Sequence, residues 1–327
     1  MELDLRRFFT PDAIVKTLDR LPELKTPIMD LLFSNTRNVP RPYVGVRDLG
    51  LAPGNIPVVR RGTHSIPMSS TDGSVGIIEP QPVNPSEFLS GADINNLRAM
   101  NDSSIQQEVD NIIDRLRRAC RATAEAMAIQ SLSGSINYYL REGSGNLVPY
   151  LIEYGTIGNA SAAVAKKFDA AGAKISDVVK GIAAILDELK KKVDGNDVEI
   201  FAGFDVFSVL CDLAGAQANA SIAQATANGI SIGGGFTIRL MAATYKNLST
   251  KSFISVVPAK NLLVVDKQAG HKMIYAGLDS IDAGQQALPF YAKPITSNDP
   301  SGVKVVAESK PLPVVNVAGI VKAQVLT

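Results

Sequence analysis

The chain has 327 residues, with 33 Lys and Arg against 32 Asp and Glu and a formal net charge of +1. That length leaves ample room for a core in one large domain or several smaller ones, and the balanced charge lacks the basic excess of a dedicated nucleic-acid binder. Two cysteines, Cys120 and Cys211, fall in segments of helical pattern and read as small buried hydrophobes, which fits synthesis in a reducing cytoplasm. Residues 1–7 alternate charge without an apolar core, so no secretory signal is read there. No apolar run approaches the roughly 20 residues that cross a bilayer, so a soluble chain is expected.

Thr10, Pro11 and Asp12 precede Ile14, Val15, Leu18 and Leu21. A Thr N-cap, a Pro at the first helical position and an apolar stripe at helical spacing predict a short helix that stops at Pro22. A second apolar cluster at 28–33 follows Pro27, and residues 1–35 read as a leader with little core of its own. Between Thr36 and Gly91 lie eight of the 18 prolines and seven of the 26 glycines, among strand-like runs at 43–46 and 76–78. Such a stretch is far longer than an ordinary connection and too apolar for disorder. It predicts an extended two-stranded arm, marginal in water unless another surface, such as a second copy of the chain, covers it.

Asp102, Ser103 and Ser104 offer N-caps, with Gln106 and Gln107 as capping-box partners. Ile105, Val109, Ile112, Leu116, Cys120, Thr123 and Met127 then recur every three or four residues up to Gly134, which predicts a helix of about 30 residues and roughly 45 Å. Its other side carries Asp110, Asp114, Arg117, Arg118, Arg121 and Glu125. This side reads as solvated, with i,i+4 pairs such as Asp114 with Arg118; the alternative makes Arg117, Arg118 and Arg121 a DNA-facing patch. Residues 136–140 and 147–154 flank a Gly-rich turn and predict a β-hairpin.

A helix from an N-cap at Ser176 runs through Val179, Ile182, Ile185, Leu186 and Leu189 to Lys190, Lys191 and Lys192, which suit the negative end of its dipole. A strand at 198–202 leads into a helix with Val206, Phe207, Val209, Leu210 and Leu213 on its apolar side. The Ala-rich run 216–227 is expected to be helical, and 229–235 to be a mobile loop. Short strands at 236–241, 253–257, 262–265 and 272–275 complete a compact α/β domain over 160–285. Residues 288–327 read as strands expected to pair with the hairpin and lie against the long helix.

Catalytic chemistry is not evident. The two histidines, His64 and His271, have no nucleophile or orienting carboxylate in a recognisable arrangement and read as surface residues. The glycine clusters at 143–145 and 233–235 fit neither phosphate-loop pattern, and two distant cysteines with two distant histidines give no metal-ligand spacing. No enzyme activity, cofactor or metal is expected.

The order of these elements resembles the Hong Kong 97-type major capsid proteins of tailed bacteriophages, nearest to the lambda-type subgroup. Phe9-Thr10-Pro11, Val83-Asn84-Pro85, the run from Glu199 to Phe207, the run from Leu288 to Lys293, and Glu308-Ser309-Lys310-Pro311-Leu312-Pro313 carry the likeness. The resemblance implies an α+β fold with an N-terminal arm at 1–35, an extended E-loop at 36–91 and a P-domain at 92–159 that contains the spine helix. An axial A-domain at 160–285 and return strands of the P-domain at 286–327 complete it. It further implies a structural subunit that forms pentamers and hexamers in an icosahedral head around DNA, assembled in the host cytoplasm and resident in the virion. The loop 229–235 would lie near the capsomer axis.

The implied partners are other copies of the chain, the portal, a separate scaffolding protein and a decoration protein. Packaged DNA would be touched only weakly, and no membrane is involved. Some relatives weld their shells through an E-loop lysine, but no lysine lies between Lys25 and Lys166. A non-covalent shell is therefore expected, with Arg37, Arg41, Arg47, Arg60 and Arg61 as inter-subunit contacts able to pair bidentately with carboxylates. An encapsulin-type nanocompartment is the alternative with the same fold. Pro22, Pro27, Pro40 and Pro42 make the leader too extended for the helical cargo-docking N-terminus such shells use. An α/β enzyme with the arm as a substrate loop would need a polar cluster that the sequence does not supply.

Overall fold

The computed structural model describes residues 11–45, 77–98, 102–143, 145–216, 223–226, 229–233, 235–248 and 250–327. In chain order these form helices α1 (Pro11–Arg20) and α2 (Pro27–Leu32), strands β1 (Thr36–Val39), β2 (Val44–Gly45), β3 (Ile77–Ile78) and β4 (Ser86–Ser90), and helices α3 (Gly91–Arg98) and α4 (Asp102–Ser131). Strands β5 (Ser135–Arg141), β6 (Leu147–Glu153) and β7 (Gly158–Asn159) follow, then α5 (Ile175–Lys190), β8 (Val198–Ala202) and α6 (Phe204–Gly215). Next come β9 (Ala223–Thr226), β10 (Gly229–Ile232), β11 (Phe236–Leu240), β12 (Thr244–Lys246), β13 (Phe253–Ser255) and β14 (Asn261–Asp266). The chain closes with β15 (Lys272–Ala276), β16 (Tyr291–Asn298), β17 (Ser301–Glu308), β18 (Pro311–Val314) and β19 (Ile320–Gln324). Among the described residues no helix is long and apolar enough to cross a membrane.

The chain divides into two compact units. The first is drawn from Met1–Gly45, Ile77–Glu125 and Met273–Pro313. Here β16, β17 and β4 form an antiparallel sheet, with Tyr291 opposite Glu308 and Gly302 opposite Ser90. The apolar stripe of α4 packs on it: Val109, Ile112, Ile113, Leu116 and Cys120 meet Leu89, Ala292, Val305 and Ala307, with Ile14 of α1 closing the cluster. Three- and four-residue spacing keeps these α4 side chains on one side, and alternate residues of β17 supply the facing surface. A second sheet runs β1-β15-β18, with β1 parallel to β15 from Thr36 opposite Met273 to Val39 opposite Ala276.

The polar side of α4 does not simply face water. Positions 110, 114, 117, 121 and 125 fall on one line of the helix at the same spacing, and this line holds the leader. Asp110 accepts from Thr17 Oγ1 at 3.1 Å and from Arg20 at 3.0 Å. Arg117 donates to Asp114 at 3.0 Å and to the Pro22 carbonyl at 2.7 Å, and Arg121 pairs with Asp30 at 3.1 Å. Glu125 accepts the Ile28 and Met29 N–H groups of α2 at 2.8 and 2.9 Å, filling the role of a cap that Thr26 does not provide with its own side chain. Thr26 instead binds Asp30 through both its N–H and its hydroxyl.

The second unit is drawn from Val46–Gly76, Ala126–Lys272 and Val314–Thr327. Its seven-stranded mixed sheet has the order β7-β19-β14-β8-β11-β10-β9. Ile182, Ile185 and Leu189 of α5 and Val206 and Leu210 of α6 pack with Ile200, Ile230, Ile238, Leu262, Val264 and Val321 of the sheet. Phe168 seats against α5 at Gly181, where a Cβ would come within 2.8 Å of the ring. α4 ends before Gly134, at φ +92°, a conformation that favours glycine and that brings the chain within contact of the Gly155 carbonyl.

Several expectations are corrected. The strands of 288–327 do not pair with the hairpin: β17 takes β4 as its second neighbour and β19 joins the large sheet, while β5 and β6 pair only with each other among the described residues. In the Ala-rich run, 223–226 is a strand. The expected loop at 229–235 opens with strand β10, whose Ile230 and Ile232 are buried at a period of two, so pairing overrides the helix propensity of alanine. The start of α5 is capped at Lys174, where the Asp177 carboxylate accepts the Lys174 N–H, rather than at Ser176. His271 is 2% exposed, its Nδ1 accepting the Asn316 N–H at 3.3 Å.

Two measurements test this account. Glu125→Ala strands two buried N–H groups, which costs about 1–3 kcal/mol, so trypsin should cut after the exposed Lys25 roughly 5- to 100-fold faster than in wild type while α4 itself stays folded. Burial pushes the His271 imidazole down to about 4. Because the unfolded ring binds its proton near pH 6.5, unfolded chains take up protons first as pH falls. Stability is then full above about 6.5 and declines between about 6.5 and 4, by up to ~3 kcal/mol. Urea midpoints of wild type should fall across that window, and His271→Gln should flatten the fall.

Candidate assembly surface

The candidate surface is what each unit leaves in solvent. In the first unit Val15, Tyr43, Phe88, Ile281 and Ile295 are exposed large apolar side chains; in the second, Leu147, Leu151, Phe204, Leu240 and Phe253 are. Phe204 and Phe253 are each 72% exposed. Apolar groups scattered singly are normal on a monomer, but the β5–β6 hairpin concentrates them. One of its faces carries Ile136 with Ile152, Tyr138 with Tyr150 and Leu140 with Val148; the other carries Leu151, Leu147, Pro149 and Tyr139. A two-stranded ribbon with apolar residues on both faces is marginal in water on its own.

The arm is rooted in the first unit. Val44 pairs with Ile78 and Gly45 with Ile77, antiparallel; the part of the expected arm at 46–76 lies outside the described residues. Of the arm arginines, Arg37 lies exposed on β1, and Arg41 is exposed with its guanidinium 5.7 Å from the centroid of the Tyr43 ring, within cation–π range. Arg47, Arg60, Arg61 and His64 lie outside the described residues.

The three spine arginines are brought together but committed. Arg118 binds Asp114 at 2.6 Å, Arg117 shares that carboxylate, and Arg121 holds Asp30. Burial opposes the Asp114 charge, yet hydrogen bonds from Arg118 and Arg117 hold its carboxyl below the usual range. Sequence reasoning placed these charges correctly on one side of α4 and missed their partners. Thr17, Pro22, Asp30 and the two α2 N–H groups belong to the leader, and intrahelical spacing carries no signal of them.

Beside this line the first unit holds an open cavity of about 250 Å³, lined by Leu18, Leu24, Ala124 and Phe290 together with Arg117 and Arg121. Cys120 also borders it. Burial pushes that thiol up to about 12, so in the described structure it is held as the neutral thiol at neutral pH. Among the described residues no three His, Cys, Asp or Glu side chains gather as a metal site.

The comparisons agree with a shell subunit. A crystal structure described as that of a prophage capsid protein from E. coli CFT073 aligns with a TM-score of 0.61 at 14% identity, over 96% of this chain and 98% of its own. The mature capsid of bacteriophage PhiM1 aligns at 0.45 and 10% identity, over 93% of this chain and 87% of its own. The SrpI encapsulin of Synechococcus elongatus PCC 7942 aligns at 0.44 and 9%, over 96% and 95%. No curated protein matches the chain in sequence. The α+β fold is thus the Hong Kong 97-like capsid fold, without any sign that singles out the lambda-type subgroup. The family model described as phage major capsid protein E matches residues 10–325, and the chain belongs to that family.

Proposed function

We propose that this chain is the major subunit of a phage head, a structural protein without catalysis that self-assembles as pentamers and hexamers into a closed icosahedral shell around packaged DNA. The family match over residues 10–325 carries this reading. The exposed apolar side chains of both units support it as contact surface, since a shell subunit needs several such surfaces and an enzyme needs a convergent polar cluster. In this reading the first unit provides the peripheral domain and the second provides the axial domain. A portal and a separate scaffolding protein are expected partners, and a decoration protein would reinforce the outside.

The shell is held without a covalent lock in the arm. No lysine lies between Lys25 and Lys166, so the arm has no amine to form an isopeptide bond. Packing and arginine pairing through Arg37 and Arg41 supply the grip instead. Assembled particles boiled in reducing denaturant should run as one band near 34.7 kDa; a ladder of larger bands refutes the non-covalent arm. Negative-stain images of the protein co-expressed with the neighbouring head genes should show closed shells, and persistent monomers would sink the shell reading itself.

A further inference from the structure

The β5–β6 ribbon leaves one long strand edge open. Its ladder bonds run through even-numbered residues: the Tyr154 N–H donates to the Gly134 carbonyl at 2.9 Å, and the Glu142 N–H to the Asn146 carbonyl at 2.9 Å. In an antiparallel pair the alternate residues turn their backbone groups away from the partner strand. Ser135, Asn137, Tyr139 and Arg141 therefore present their N–H and C=O groups on the outer side of β5. Asn137 shows the same, since its N–H donates to Gln130 Oε1 at 2.9 Å and not to β6. Past Gln130, the groups of Tyr139 and Arg141 have no ladder partner, because β5 pairs only with β6 among the described residues. The other long edges are guarded. The three longest edge strands among the described residues are β16, with 8 residues, and β5 and β6, with 7 each; β16 carries Pro294 and β6 carries Pro149. Pro149 stands opposite Tyr139, so the donor it lacks belongs to the outer side of β6. Proline on an edge blocks strand pairing, and β5 has none.

We propose that the outer edge of β5 pairs antiparallel with the same edge of a second copy of this chain, about a two-fold axis at Leu140. In this register Tyr139 faces Arg141 of the second copy and Arg141 faces its Tyr139, so every open N–H meets an open carbonyl. Asn137, already bonded to Gln130, faces only Gly143, where even an added Cβ would meet nothing within 4 Å. β5 and its turn bring Arg141 and Glu142, so the paired edge is neutral; no like charges stand directly opposite, and Arg141 comes beside a tyrosine ring. The pairing also supplies what the ribbon lacks. Two strands are marginal in water and three or more with an apolar face are not, so joining two ribbons merges Tyr138, Leu140, Val148 and Tyr150 of both copies into one four-stranded face. Area decides the kind of partner. An edge this short covers on the order of a few hundred Å², below the roughly 1,200 Å² of a stable interface, so it does not hold two free proteins together. It fits a partner already kept close by other contacts, which is a further subunit of the same shell. One patch meets itself, so the contact is isologous and differs from the head-to-tail contacts that close rings. This inference rests on the shell reading above.

Cross-linking and edge-blocking variants test the pairing in assembled particles. Leu140→Cys particles are treated with glutathione disulfide, which is reduced to two glutathione thiols as two protein thiols join. They should give a dimer whose linked peptides both contain position 140. Val148→Cys, about 14 Å from its counterpart across three strand spacings, should not link. Tyr139→Pro removes an outward donor and no β5–β6 bond, and it should raise the concentration at which shells form at least about fivefold. Leu151→Pro, opposite Asn137, makes the same loss on the outer side of β6 and should stay within about twofold. Shells that form without a 140–140 link, or two prolines with equal effect, overturn the pairing while leaving the shell reading intact. Should Tyr139→Pro fail to fold, the Leu140→Cys link alone decides. Wild type that never assembles removes the shell reading and the pairing with it.

Discussion

Helix α4 has to satisfy two unlike surfaces at once, and most of the first unit follows from how it does so. Along one side, Val109, Ile112, Ile113, Leu116 and Cys120 bury apolar area against β4, β16 and β17. Along another, Asp110, Asp114, Arg117, Arg121 and Glu125 hold a leader whose helices are only 10 and 6 residues long. Helices that short do not persist in water without tertiary support, so the leader owes its order to α4. The two sides differ in what they tolerate. Trimming an apolar contact removes area in proportion, whereas removing one partner of a desolvated polar pair strands the other. Glu125 is the acute case, because burial pushes its carboxyl up while the Ile28 and Met29 N–H groups pull it down.

The sequence discloses periodicities, and these were legible wherever one period ran uninterrupted. The 3.6 pattern from Val109 onward marked α4 almost to its end, and the apolar runs at Val198 and Leu262 marked central strands of the large sheet. A period of two says which residues share a face but not which strand lies alongside, so the partners of β17 and β19 were out of reach. The alanines of 216–227 misled because propensity is weak where a strand neighbour competes, and Ile230 and Ile232 settle that contest for β10. His271 was legible only as a histidine between strands; its hydrogen-bond partner Asn316 lies 45 residues away.

The site was less legible than the fold for a related reason. An enzyme's chemistry leaves recognisable residue types at fixed spacing, while a docking surface leaves apolar side chains whose exposure is decided by tertiary structure. Nothing in the sequence separates Ile281 from the buried Ile274 seven residues earlier. Their difference arises only when Lys310, Lys293 and Glu308 draw the intervening turn onto the strands.

The absence of lysine from 26–165 bears on how strong any one contact needs to be. In a closed shell each copy engages several neighbours simultaneously, and once one contact forms, the next is effectively intramolecular and occurs at high local concentration. Weak, separately placed contacts therefore suffice, and they let misplaced copies dissociate, which a covalent lock would not. That logic favours compact apolar ribbons such as β5–β6 over one extensive interface.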